Sequence, residues 1–244
     1  MHALAALDRD AAALAISVGS VIAYYVFLHF KVRGNPTYTI HGVNALARSL
    51  WVENVMRNAS KDVMAVQTLR NFVMGASLMA STAALLIIGT LSLSGQADHM
   101  AHTWMNLGAS DGSTTAWSVF KVTCLLADFI IAFFAFVMSV RLANHVVFMV
   151  NVPDHGAHHS LAPQTVARRL QRAGNLFAVG MRAFFFAVPL VFWLFGPHFL
   201  VLASFGLVVA LYHLDRSESG APDLGRVTNR PAQVVHMSTK LAKP

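Results

Sequence analysis

The chain has 244 residues, 56% of them hydrophobic and 12% charged, where soluble domains carry about 25% charged residues. That balance excludes an ordinary soluble globule, and a single cysteine, Cys124, excludes an internal disulfide framework. The net charge of +7 does not point to nucleic acid, because the basic residues flank apolar runs, as in membrane proteins.

Residues 1–10, MHALAALDRD, carry two acids and one arginine before the first apolar run. A cleavable signal peptide would begin with a positive segment, so the run at 11–30 reads as a retained span. Twenty helical residues cover the ~30 Å hydrocarbon core. Tyr24 and Tyr25 sit toward the end that meets Lys31 and Arg33, and Gly34, Asn35 and Pro36 stop the helix.

Residues 41–58 predict an amphipathic helix at the membrane surface. Val43, Leu46, Leu50 and Val55 form its apolar side, with Trp51 at the edge. Arg48, Glu53 and Arg57 mark the polar side. Glu53 and Arg57 have the acid-first i, i+4 order that favours a helical ion pair. Ser60 is a candidate N-cap for the next helix.

The second span runs from about 72 to 93. Gly75, Ala76, Ser77, Ala80, Ser81, Ala83 and Ala84 let helix backbones approach closely in lipid, which predicts a central position. A loop at 94–115 has no Lys or Arg. The third span begins near 116 and stays apolar to Val152, far longer than one bilayer crossing. Residues beyond Arg141 should therefore project from the membrane or bend onto it. The stretch 175–214 is also too long for one span. Gly196-Pro197 divides it into spans at 176–195 and 198–214, with a kink expected at Pro189. The tail, 215–244, has the composition of a disordered segment.

Five spans put 31–70, 141–182 and 215–244 on one side, and of the 18 basic residues only Arg9 and Lys121 fall elsewhere. That side is expected to be cytoplasmic, with the N-terminus outside and the C-terminus inside a bacterial inner membrane. A four-span arrangement, with 176–214 as a broken element, would move the tail outside against this bias.

Three stretches carry a family resemblance: ARSLWVENVM (47–56), AVQTLRNFVMGASLMAS (65–81) and GMRAFFFAVPLVFWLFGP (180–197). In order and spacing the chain resembles a widespread uncharacterised family of small multi-pass membrane proteins of bacteria and plants, over roughly residues 15–215. The resemblance implies the spans and draws attention to the polar positions within these stretches. It implies no activity, and no catalytic residue is carried over.

Gln67, Arg70 and Asn71 stand at i, i+3 and i+4, one helix face at the doorstep of the second span. Two readings stand: headgroup anchoring with helix–helix hydrogen bonds, or a polar cluster that binds an anion or lines a vestibule. Arg48, Glu53, Arg57 and Arg182 are expected at the same level. Asp128 lies inside the third span, where a carboxylate costs on the order of 3 kcal/mol. It must stay protonated with a hydrogen-bond partner, face water, or serve a proton or cation pathway. Lys121, seven residues earlier, is too far for an ideal pair. Cys124 reads as a buried core cysteine. Arg141, Asn144 and His145 share a face expected to pack against the surface helix.

Two histidine groups, Asp98/His99/Met100/His102/Met105 and Asp154/His155/His158/His159, lack a full ligand signature. No metal site is assigned, and no cofactor or soluble-enzyme motif is present. The expectation is therefore an all-α polytopic bundle. Its pathway residues would be Asp128, Gln67, Arg70, Asn71 and Arg182, beside a polar cluster of Arg48, Glu53 and Arg57. The leading function is a small oligomeric channel or transporter for an ion or small solute, with no enzymatic activity assigned. The alternative is an accessory or scaffold protein that docks a partner or anionic lipid. The bilayer and further copies of the chain are the expected partners.

Overall fold

The computed structural model describes residues 2–34, 38–94, 115–152 and 161–215. Both histidine groups, residues 95–114 of the expected 94–115 loop and all residues beyond 215 lie outside the described residues. The described residues form six α-helices and one short 3₁₀ turn. They are α1 (His2–Gly34), α2 (Ile40–Met56), the turn Ala59–Lys61, α3 (Asp62–Ser94), α4 (Thr115–Val150), α5 (Pro163–Phe195) and α6 (Pro197–Asp215). All but α2 are long and apolar enough to cross a membrane. The protein is an all-α multi-pass bundle.

Local chemistry sets the helix ends. Thr39 caps α2, its Oγ1 accepting from the Gly42 N–H at 3.3 Å. Pro163 opens α5, where its missing N–H costs nothing. Gly196 separates α5 from α6 with φ 149°, a left-handed value suited to glycine, and Pro197 begins α6 at once. These two residues fold the apolar stretch back on itself within one peptide.

α4 and α5 form the antiparallel centre of the bundle. Phe136 is fully buried between Ala80, Ala83, Ala132 and Ala183. Gly180 lies against its ring, so close that a Cβ there would meet Phe136 at 2.7 Å. α3 packs on α4 through Ala76, Ala80 and Ala83. Its other face, with Met74, Leu78, Leu85, Ile88 and Leu91, is exposed. The central place expected for this span belongs to α4 and α5 instead. Ala76, Ala80 and Ala83 serve one close contact, Gly75 and Ser81 are exposed, and large apolar side chains dominate the outer face of α3 from Met74 onward.

α1 and α6 run parallel to each other and antiparallel to α5. Ala13 meets Leu200 and Trp193 at one end, and Tyr24 meets Leu207 and Leu211 further along. α4 continues as one helix to Val150. At about 1.5 Å per residue, α3, α4 and α5 each exceed the hydrocarbon thickness by roughly 20 Å. Their surplus ends meet α2 in a head whose core is Val52, Val55, Leu69, Val146, Val166 and Leu170 with their neighbours.

α2 seats a different face from the one its apolar pattern suggests. Val52 and Val55 are buried, but Leu46 and Leu50 are 53% and 58% exposed. Arg48, assigned to the polar side, is partly buried against α5. The apolar residues of α2 divide between two faces, and packing on α5 selected the one that includes the arginine.

Candidate functional site

Polar side chains tie α1 and α6 to the central pair at two levels. At the end away from the head, Asp10 of α1 lies 3.2 Å from the Lys121 Nζ of α4. The same carboxylate oxygen accepts the Trp193 indole N–H of α5 at 3.1 Å. Asp10, Lys121 and Trp193 are all buried. The lysine Nζ sits 5.5 Å from the Trp193 ring centroid, a cation–π contact, and Trp117 and Phe120 stand edge-on to the same ring. Low dielectric strengthens the pair, and the indole satisfies a further lone pair.

Nearer the head, the Tyr24 hydroxyl of α1 donates to Asp215 Oδ2 of α6 at 2.9 Å. Arg182 of α5 lies 3.5 Å from Asp215 Oδ1 and its guanidinium is 5.4 Å from the Tyr25 ring. Asp10 and Tyr24 are 14 residues apart on α1, so the two ties are separated by about 21 Å along the helix.

Asp128 stands between these levels. It is partly exposed as a residue, but its Oδ2 is enclosed and has no hydrogen-bond partner. The Ser17 Oγ of α1 is in the same condition, and Ser17 is only 5% exposed. Cys124 is partly buried among Ala13, Trp193 and Leu200.

In the head, Arg48 donates from Nη1 to Gln171 at 3.1 Å, and Gln171 donates to Asn175 at 2.8 Å. The guanidinium lies flat on Gly174, where any Cβ would collide with it. Burial lowers the Arg48 pKa from its ordinary value. Arg48 and Trp51 open onto a cleft of ≈ 400 Å³ that also touches Asn44, Thr68, Leu69 and Phe72. His41 is half-buried nearby. Desolvation lowers its pKa first, and the positive charge of Arg182 lowers it further.

Of the residues singled out in the sequence, Arg182, Arg48 and Asp128 lie at these polar positions. Glu53 and Arg57 form their i, i+4 pair on the exposed side of α2. Gln67, Arg70 and Asn71 share one face of α3, all exposed, pointing away from the buried Ala65–Leu69 side. The fold does not join them to Arg48 or Arg182. Arg141, Asn144 and His145 are exposed as well, rather than covered by α2. Sequence reasoning missed Asp10, Ser17, Tyr24 and Asp215 as a set. Their signal was a seven-residue spacing, Asp10–Ser17–Tyr24, repeated by Lys121–Asp128. Asp10 stands among the residues before the first span, and Asp215, expected to begin the disordered tail, is the last residue of α6.

No curated protein matches the chain, and no solved structure does. A family model described as "Protein of unknown function, DUF599" matches residues 12–219. That match covers α2 to α6, α1 from residue 12 onward and the Tyr24–Asp215–Arg182 tie, while Asp10 lies just before its start, and the chain belongs to this family of unknown function.

Proposed function

We propose that the protein is a small channel or transporter for an ion or small solute in a bacterial inner membrane. The observation that carries this reading is Asp128. An intramembrane carboxyl group whose enclosed oxygen has no partner is costly and marks a pathway by default. The two ties support it, because they place further charged groups, Asp10 with Lys121 and Asp215 with Arg182, between the α1/α6 pair and the α4/α5 centre on either side of Asp128. Arg182 contributes to the pathway through Asp215.

Gln67, Arg70 and Asn71 enter this reading through a homo-oligomer. On one chain they face outward, so a vestibule lined by them needs a second copy. With Asn71→Cys in a Cys124→Ser background, a disulfide-linked dimer in membranes is expected. Absence of cross-linking across that whole α3 face would remove these residues from the pathway. The basic head is cytoplasmic by the positive-inside rule. Cysteine labelling from outside should modify position Ser110 and spare position Ser238; the reverse would overturn the orientation.

Reconstituted flux tests the function itself. Asp128→Asn keeps shape and removes the charge. A folded variant that retains full pH-dependent flux would exclude Asp128 from the mechanism.

The cleft at Arg48 favours a second reading, a protein that docks anionic lipid. Arg48 has no carboxylate within ion-pair distance among the described residues, and Trp51, Leu69 and Phe72 offer an apolar wall beside it. The exposed Leu46 and Leu50 would rest in the headgroup layer. Arg48→Gln should then weaken binding to vesicles or nanodiscs containing phosphatidylglycerol while leaving Asp128-dependent flux intact.

A further inference from the structure

Among the described residues, Asp128 and Ser17 have enclosed side-chain oxygens without a partner, and helix register puts them at a similar depth. α1 and α4 both run antiparallel to α5, and they are in register where Asp10 meets Lys121 beside Trp193. Asp128 is seven residues past Lys121, and Ser17 is seven past Asp10. Each is about 10 Å deeper than the ion pair. The contacts with α5 agree. Phe129 packs beside Ala187 and Phe184. On α1, Asp10 is level with Trp193 and Tyr25 with Phe186, so Ser17 falls between them.

α5 adds a third oxygen at this depth. Pro189 is buried inside the helix and has no N–H to give the Phe185 carbonyl four residues earlier. In a membrane a freed carbonyl needs another partner. The neighbouring cations are engaged: Lys121 with Asp10, and Arg182 with Asp215. Neither is left to neutralise Asp128.

We propose that Asp128 and Ser17, with the Phe185 carbonyl freed by Pro189, form a binding site for an alkali-metal cation. All the donors are oxygens, which suits a hard cation, and one carboxylate matches a single positive charge. A divalent ion would be undercompensated here. The inference rests on the reading of Asp128 as a pathway residue, but it concerns binding and is tested without flux.

The test is thermal unfolding of the purified full chain in detergent, at constant pH and ionic strength, in sodium, potassium or choline chloride. Sodium or potassium should raise Tm relative to choline. Asp128→Asn should abolish the cation-dependent increment, and Ser17→Ala should weaken apparent affinity about tenfold, the loss of one good ligand. Pro189→Ala, which restores a donor to the Phe185 carbonyl, should weaken it in the same direction. If Asp128→Asn does not fold, Ser17→Ala and Pro189→Ala decide the matter. Equal Tm in all three salts overturns the proposal, as does stabilisation by acid alone. A cation effect that survives intact in the folded variants overturns it too. A wild-type protein that binds cation but shows no flux leaves the site standing and removes the transport reading.

Discussion

Lys121 and Asp10 form an ion pair between two helices that are 111 positions apart in sequence, with both side chains at most 6% exposed. Removing one partner of such a pair strands a buried charge. Lys121→Met should destabilise the fold by about 3–5 kcal/mol, because Asp10 would lose its lysine and keep the neutral Trp193 indole as its hydrogen-bond donor. Asp10→Asn combined with Lys121→Met should recover a substantial part of that loss. A double-mutant cycle on unfolding in detergent measures the coupling.

Tyr24 and Asp215 predict a smaller effect at the other tie. Tyr24→Phe removes a hydroxyl donor to a carboxylate that Arg182 still neutralises. The expected loss is about 2 kcal/mol, read as a lower Tm. Asp215→Asn should cost more than Tyr24→Phe, since it leaves the Arg182 charge without its carboxylate.

Two glycines of α5 make opposite predictions. Gly180→Ala drives a methyl group against the fully buried Phe136 ring, which has nowhere to retreat, so about 1–3 kcal/mol is lost to overpacking. Gly174→Ala meets only the flexible end of Arg48. Its cost to stability should be less than 1 kcal/mol, roughly offset by better helix propensity. It should expel the guanidinium from α5 and break the Arg48–Gln171 bond. Unfolding curves for the two variants, compared directly, check the contrast.

His41 predicts a pH dependence. Its folded pKa lies below the ordinary 6.5 because burial and then Arg182 disfavour the charged ring, against the opposing pull of Asp215. The unfolded chain therefore binds more protons at mildly acidic pH. Stability from this residue is fully present above 6.5 and declines as pH falls through that value. His41→Gln should flatten the Tm–pH profile in the window just below 6.5. An unchanged slope would assign that dependence to other groups.

Sequence alone established the multi-pass, all-α character. Hydropathy is a local property: a run such as 11–30 or 116–150 must be helical to satisfy its backbone in lipid, wherever it sits in the bundle. Gly196-Pro197 was equally legible, because a turn is decided by the residues that make it. The i, i+4 pair Glu53–Arg57 needed only a helix.

The tertiary structure decided what meets what. Asp10 and Asp215 lie at span ends, where a charge looks unremarkable, and only the parallel course of α1 and α6 beside α5 turns them into buried partners of Lys121 and Arg182. α2 carries apolar residues on two faces, and contact with α5, not the pattern itself, selected Val52 and Val55 over Leu46 and Leu50. The small residues of α3 predicted close packing but not its partner. Pairing across more than a hundred residues depends on helix order and register, and those are set by the packing of whole helices rather than by any one segment.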